Sequence, residues 1–179
     1  MNKKIIFVRA CALGCFLLAL AIHAATPTIS NVMPRGGQRG STLEVTISGA
    51  RLNDAQEIFF HSQGIQADKI APVSASKFKA TFVIAADAKL GQHELRVRTA
   101  SGVSTMKTFW VGPFPNVAET EPNSEFDAAQ KIPMNSTVNG VVTNEDVDFY
   151  EIEAKKGQRI SAEIEAIRLS GALVDPYVA

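Results

Sequence analysis

The sequence predicts an all-β fold, and three observations carry that expectation. No long stretch sets apolar residues at helical spacing. Period-two alternation of apolar and polar residues recurs along the chain. The alternating runs are short and bounded by Gly, Pro, Asn and Asp, the pattern of strands joined by turns. Strands of this kind predict antiparallel sandwiches, with half of each strand turned to water. A length of 179 residues holds one large or two small domains.

The chain opens with Lys3, Lys4 and Arg9, then the apolar run "ACALGCFLLALAI" (10–22), then the small residues of "HAA". This order is that of a secretory signal peptide, assigned to residues 1–25. The run is shorter than the roughly 20 residues a membrane span requires. Both cysteines, Cys11 and Cys15, lie inside it, so the exported chain is expected to have no thiol chemistry and no membrane span. Beyond residue 25 there are 15 basic and 18 acidic residues, a net charge of −3. A nucleic-acid binder would show a basic stripe instead.

The first module is assigned to residues 26–112. "TLEVTISG" sets Leu43, Val45 and Ile47 on one face, opposite Glu44, Thr46 and Ser48. "FKATFVIA" groups Phe78, Ala80, Phe82 and Ile84, and "HELRVRT" alternates Leu95 and Val97 with Arg96 and Arg98. "STMKTFWVG" offers a further strand with Phe109 and Val111 inward. Pro34, Gly36 and Gly37 read as a turn. Trp110 next to Phe109 reads as a packing residue, with sugar stacking as the alternative. Residues 113–118 form a linker. Pro113, Pro115 and Pro122, three within ten residues, stiffen the connection and exclude a central strand. Over 119–179, "STVNGVV", "VDFYEIEA" and "QRISAEIEAI" predict further strands, with Ile160, Ala162, Ile164 and Ala166 on one face. "AKKGQR" (154–159) reads as a solvated turn, and "EFDAAQKI" (125–132) as a loop, with one helical turn as the alternative.

Catalytic signatures are few. "HELRV" begins like a zinc-protease motif, but Val97 stands where the second His belongs, and the segment alternates as a strand. His93 is expected as a surface strand residue and His61 as a strand-end residue. No Gly-x-Ser-x-Gly elbow occurs. "RGGQRG" (35–40) lacks the Lys-Ser/Thr of a phosphate-binding loop and reads as a turn. These features predict a protein without enzymatic activity.

Two resemblances sharpen the expectation. The segment "PTISNVMPRGGQRGSTLEVTISGARL" (27–52), with "LGQHELRVRTASGVST" (90–105), resembles the immunoglobulin-like IPT/TIG domain. The segments "ETEPNSEFDAAQKI" (119–132), "NGVV" (139–142), "EDVDFYEIEAKKGQRISAEIEA" (145–166) and "LVDPYVA" (173–179) resemble the bacterial pre-peptidase C-terminal domain. The first resemblance implies an Ig-like β-sandwich. The second implies an incomplete jelly-roll-like β-sandwich, because members of that family continue with more strands where this sequence stops. The expectation is therefore a fragment or a truncated product.

The second resemblance also implies a metal site. Calcium-binding members use acids and an Asn before the first strand together with acids of a later turn. By position these are Glu119, Glu121, Asn123, Asp146 and Asp148. Ser124 falls where the family often has another acid or amide, which weakens one ligand position. The chemistry agrees with a Ca²⁺ ion, which takes six to eight oxygen ligands. Within "ETEPNSEFD" (119–127) there are four carboxylates and no cation. Glu119, Glu121 and Asn123 follow an i, i+2, i+4 spacing, which aims them one way in an extended segment. The other reading of the same acids is a solvated linker and a solvated turn.

The function expected from the whole is a non-catalytic exported spacer or interaction module stabilised by calcium. Its partners would be a protein or a cell-surface or matrix polysaccharide, with nucleic acid excluded. The alternatives are an accessory region of a secreted peptidase and a carbohydrate- or matrix-binding module. The location is periplasmic, cell-surface or extracellular.

Overall fold

The computed structural model describes residues 26–143 and 146–169. The expected signal peptide (1–25), Glu145 and the closing "LVDPYVA" segment lie outside the described residues. The described chain is all β. Thirteen strands are joined by turns, and its helical content is two single 3-10 turns, Phe126–Ala128 and Ile167–Leu169. Among the described residues no helix is long and apolar enough to cross a membrane.

Nine strands build a two-sheet sandwich. One sheet runs in the order β1 (Thr28–Met33), β3 (Thr42–Ala50), β6 (Lys77–Ile84), β5 (Ile65–Ser74), all antiparallel. The other runs β2 (Gly36–Gln38), β9 (Lys107–Gly112), β7 (Gly91–Thr99), β4 (Glu57–Phe60), with β8 (Gly102–Val103) also paired to β7. The alternation read from the sequence sets which side chains enter the core. Val45, Ile47, Phe78, Phe82, Leu95, Val97, Phe109 and Val111 are all fully buried. Phe82 ties the two sheets together. Its ring meets Phe109 edge-on at 5.2 Å and Phe60 at 5.1 Å, an arrangement that adds to area burial because ring edge and ring face carry opposite partial charge. Trp110 points to the other face of β9 and is half-buried.

Three features differ from the sequence-based expectation. First, Gly36 and Gly37 are strand residues. After the bend at Pro34–Arg35 the chain crosses from one sheet to the other and runs parallel to β9, pairing Gly36 with Trp110. Glycine is required there by close approach, since a Cβ on Gly36 would sit 2.6 Å from the Trp110 carbonyl oxygen. Second, the pairing is not wholly antiparallel. Besides β2 with β9, β10 (Asn116–Ala118) pairs parallel with β12 (Thr137–Asn139), and β11 (Gln130–Lys131) pairs parallel with β13 (Tyr150–Glu151). Third, "QRISAEIEAI" forms no strand, and "VDFYEIEA" is a strand only at Tyr150–Glu151. Alternation supplies a strand's faces, but a strand also needs a neighbour for its N–H and C=O groups. Among the described residues none pairs with 158–166.

Strands β10 and β12 are held against the sandwich by short polar contacts. Asn116 Nδ2 donates to the Gly36 carbonyl at 2.7 Å, and the Arg35 N–H donates to Asn139 Oδ1 at 3.2 Å. The 3-10 turn at Ile167–Leu169 lies against β9, with Leu169 buried.

Candidate metal centre

The chain leaves β10 at Ala118, and the next residue, Glu119, turns its carboxylate toward the exits of two other strands. Its Oε2 accepts from the Val141 N–H just past β12, at 2.7 Å, and its Oε1 accepts from the Tyr150 hydroxyl on β13, at 2.7 Å. Gly140 makes this approach feasible, because a Cβ there would lie 2.8 Å from Glu119 Oε1. Two residues on, Glu121 Oε2 accepts from the Asn123 N–H at 3.0 Å, and the Asn123 carbonyl accepts from the Phe149 N–H at 2.9 Å. That last bond brings the 119–123 ribbon alongside the segment leading into β13.

The result is a convergence of charge. One carboxylate oxygen from each of Glu119, Glu121 and Asp148 lies within 4.8 Å of the others. Asp148 is the strained member. Loss of surrounding water, then the negative charges of Glu119, Asp146 and Glu121, push its carboxyl up to about 6. Burial and the hydrogen bond to Glu119 likewise raise the Tyr150 phenol, which stays protonated and donates. Beside the acids, Asn123 is fully buried with its side chain against the Tyr150 hydroxyl, and no hydrogen bond of good geometry reaches its Oδ1 or Nδ2, or Asp148 Oδ1, among the described residues. Buried polar atoms without partners are costly. A cation among these oxygens would answer both problems. It would neutralise the repelling carboxylates and give Asp148 Oδ1 an electrostatic partner. The donors are hard oxygens without His or Cys, a set suited to Ca²⁺ rather than to a thiolate- or imidazole-seeking metal.

Of the five residues expected as ligands, the structure brings Glu119, Glu121 and Asp148 together, with Asn123 buried near Tyr150. Asp146 stands apart from the cluster. Its Oδ2 accepts from the Thr143 N–H at 2.8 Å and from Thr143 Oγ1 at 3.1 Å, closing a local turn. Its charge still reaches Asp148. Glu121, Glu125, Asp127 and Ser124 are solvent-exposed, so three of the four acids in "ETEPNSEFD" face water, as the alternative reading held for all of them.

His93 corrects an expectation. It is buried, with 1% exposure. Its Nε2 lies 2.7 Å from the Lys89 carbonyl, and its Nδ1 lies 2.7 Å from Ser62 Oγ. A carbonyl only accepts, so Nε2 donates to it, and Nδ1 shares a hydrogen bond with the Ser62 hydroxyl. The imidazole thereby clips the loop after β4 to the turn before β7. The signal was in the alternation: His93, Leu95 and Val97 share one face. His61 is exposed at the end of β4, as expected.

No family model and no curated protein matches this sequence. Among solved structures, the chain is similar to SGBP-B of the Bacteroides ovatus mixed-linkage glucan utilization locus, solved in complex with a mixed-linkage heptasaccharide. The match has 16% sequence identity and a TM-score of 0.34, and covers 55% of this chain and 23% of that one. The alignment thus spans less than a quarter of that protein's length.

Proposed function

We propose that the chain is a non-catalytic, exported pair of modules, an Ig-like sandwich followed by a pre-peptidase-type unit, whose junction is braced by calcium. The single observation that carries this reading is the convergence of one carboxylate oxygen from each of Glu119, Glu121 and Asp148 within 4.8 Å of the others. The donors come from two stretches that only the fold brings together. Glu119 and Glu121 follow β10, while Asp148 precedes β13. An ion there would fasten the exit of β10 to β13. Because β10 is itself tied to Gly36 of the sandwich, the ion would restrain the orientation of one module on the other. The work is mechanical presentation or spacing toward a protein or polysaccharide partner, with no bond made or broken.

Thermal unfolding of the full chain with and without calcium tests the proposal. A site of this open, extracellular type has a Kd of about 10⁻⁴–10⁻³ M. Calcium at ten times Kd stabilises the fold by about 1.4 kcal/mol, a rise in Tm of roughly 3–6 °C at this size. The Asp148→Asn variant should lose most of the rise. A folded sample whose Tm does not move at several Kd of calcium overturns the reading.

A further inference from the structure

The chain departs from β9 and comes back to it. It leaves the sandwich at Gly112, the last residue of β9, passes through β10 to β13, and meets β9 again at the 3-10 turn Ile167–Leu169. Between β13 and that turn runs an arm, residues 153–164, exposed along its whole length. Within it the Gln158 N–H donates to the Lys155 carbonyl at 2.9 Å, and the Lys155 N–H donates to Gln158 Oε1 at 3.1 Å. Both bonds are internal to the arm. They shape it without fastening it to the sandwich.

The docked end is built from opposing contributions. Leu169 is buried, and its N–H donates to the Ala166 carbonyl at 3.0 Å, closing the turn. Removing an apolar side chain from water favours docking. Glu165 works against it. Its side chain is 12% exposed, both carboxylate oxygens are buried, and its ion pair with Arg168 Nη2, at 2.9 Å, lies within the same short segment. An ion pair internal to the segment survives undocking, and the carboxylate regains the water it lost on burial. Undocking also returns conformational freedom to the backbone, and the exposed arm has little buried surface to lose. Segments of this kind open well below the free energy of global unfolding.

We infer that residues 153–169 form a strap whose end, 165–169, docks on β9 and releases from it while the sandwich stays folded. Docked, the strap ties the chain beyond β13 back to the strand from which the linker departs. Released, it leaves the segments from β10 to β13 hung from Gly112 and from the polar contacts of β10 and β12. The strap is independent of the calcium site.

Thiol labelling under native conditions tests this, with calcium chelated so that the metal site plays no part. In the full chain with Cys11→Ser and Cys15→Ser, three single cysteines are compared. Ala162→Cys reports the arm, Leu169→Cys the dock, and Ala80→Cys the core, where Ala80 is fully buried. Leu169→Cys should react about 10- to 100-fold more slowly than Ala162→Cys, and Ala80→Cys at least about 100-fold more slowly again, the order set by a local opening that lies below global unfolding. Low urea should leave the Leu169→Cys rate nearly unchanged and accelerate Ala80→Cys, because a local opening exposes little surface. Glu165→Gln, which removes the buried charge and keeps the shape, should slow labelling at position 169. Hydrogen exchange of the unsubstituted chain controls for weakening by the cysteine itself, and the Leu169 amide should exchange through the same urea-independent opening. Labelling of Leu169→Cys as slow and as urea-dependent as that of Ala80→Cys would overturn the inference, since the turn would then open only with the core. So would labelling as fast as Ala162→Cys together with an unprotected Leu169 amide, or a rate that Glu165→Gln fails to slow.

Discussion

Asp148 carries the sharpest consequence of the site's electrostatics. Without a cation its carboxyl is pushed up to about 6, above the ordinary 3.8. The folded state therefore holds a proton that the unfolded chain releases between about pH 4 and 6. By linkage, the contribution of this group to stability is fully present below the ordinary value and is lost as pH rises through the raised one. The calcium-free protein should thus lose stability between about pH 4 and 6 through this group, and Asp148→Asn should flatten that slope in denaturant titrations across the range. Calcium competes with the proton, so its stabilisation should grow over the same window. His93 gives a second test at this scale. His93→Ala removes a buried ring and leaves the Lys89 carbonyl and Ser62 hydroxyl without their partner. The expected loss is about 2–4 kcal/mol in urea unfolding. The acids were legible in the sequence because they crowd without cations. The buried imidazole was legible in principle, since it keeps step with Leu95 and Val97. Polar identity argued the other way, and a Ser62 partner 31 residues off has no local trace.

At the scale of elements, alternation located the central strands well. β3, β6, β7 and β9 bury the side chains that their period-two pattern designates. These are the strands with neighbours on both sides, where pattern and pairing agree. The edges were less legible. β2 reads as a glycine turn, because three residues cannot show a period and parallel pairing depends on where the chain crosses between sheets. Residues 158–166 show the converse, a clear period with no partner strand among the described residues. Two substitutions separate core from site. Phe82→Ala removes the ring that joins the sheets and should cost about 3–5 kcal/mol of stability. Gly140→Ala should leave the sandwich intact, because the atoms nearest the added methyl are those of the Glu119 carboxylate. It should instead displace that carboxylate and reduce the calcium-induced rise in Tm, which calorimetry with and without the ion reads directly.

For the whole molecule, two side-chain hydrogen bonds from β10 and β12 to the sandwich meet at one dipeptide, Arg35–Gly36. Asn116 bonds the Gly36 carbonyl, and Asn139 accepts from the Arg35 N–H. Neither asparagine could be assigned this role from sequence, since the partners are 80 and 104 residues away. Removing both side chains, as Asn116→Ala with Asn139→Ala, should speed limited proteolysis across 113–118 while the sandwich core stays protected from hydrogen exchange. Arg35–Gly36 also opens the short strand that lies parallel to β9. Tension applied beyond β12 would reach the sandwich through the covalent connection into Gly112, at the end of β9, which is paired with β2 on one side and β7 on the other. A linkage loaded lengthwise yields only when several hydrogen bonds give together.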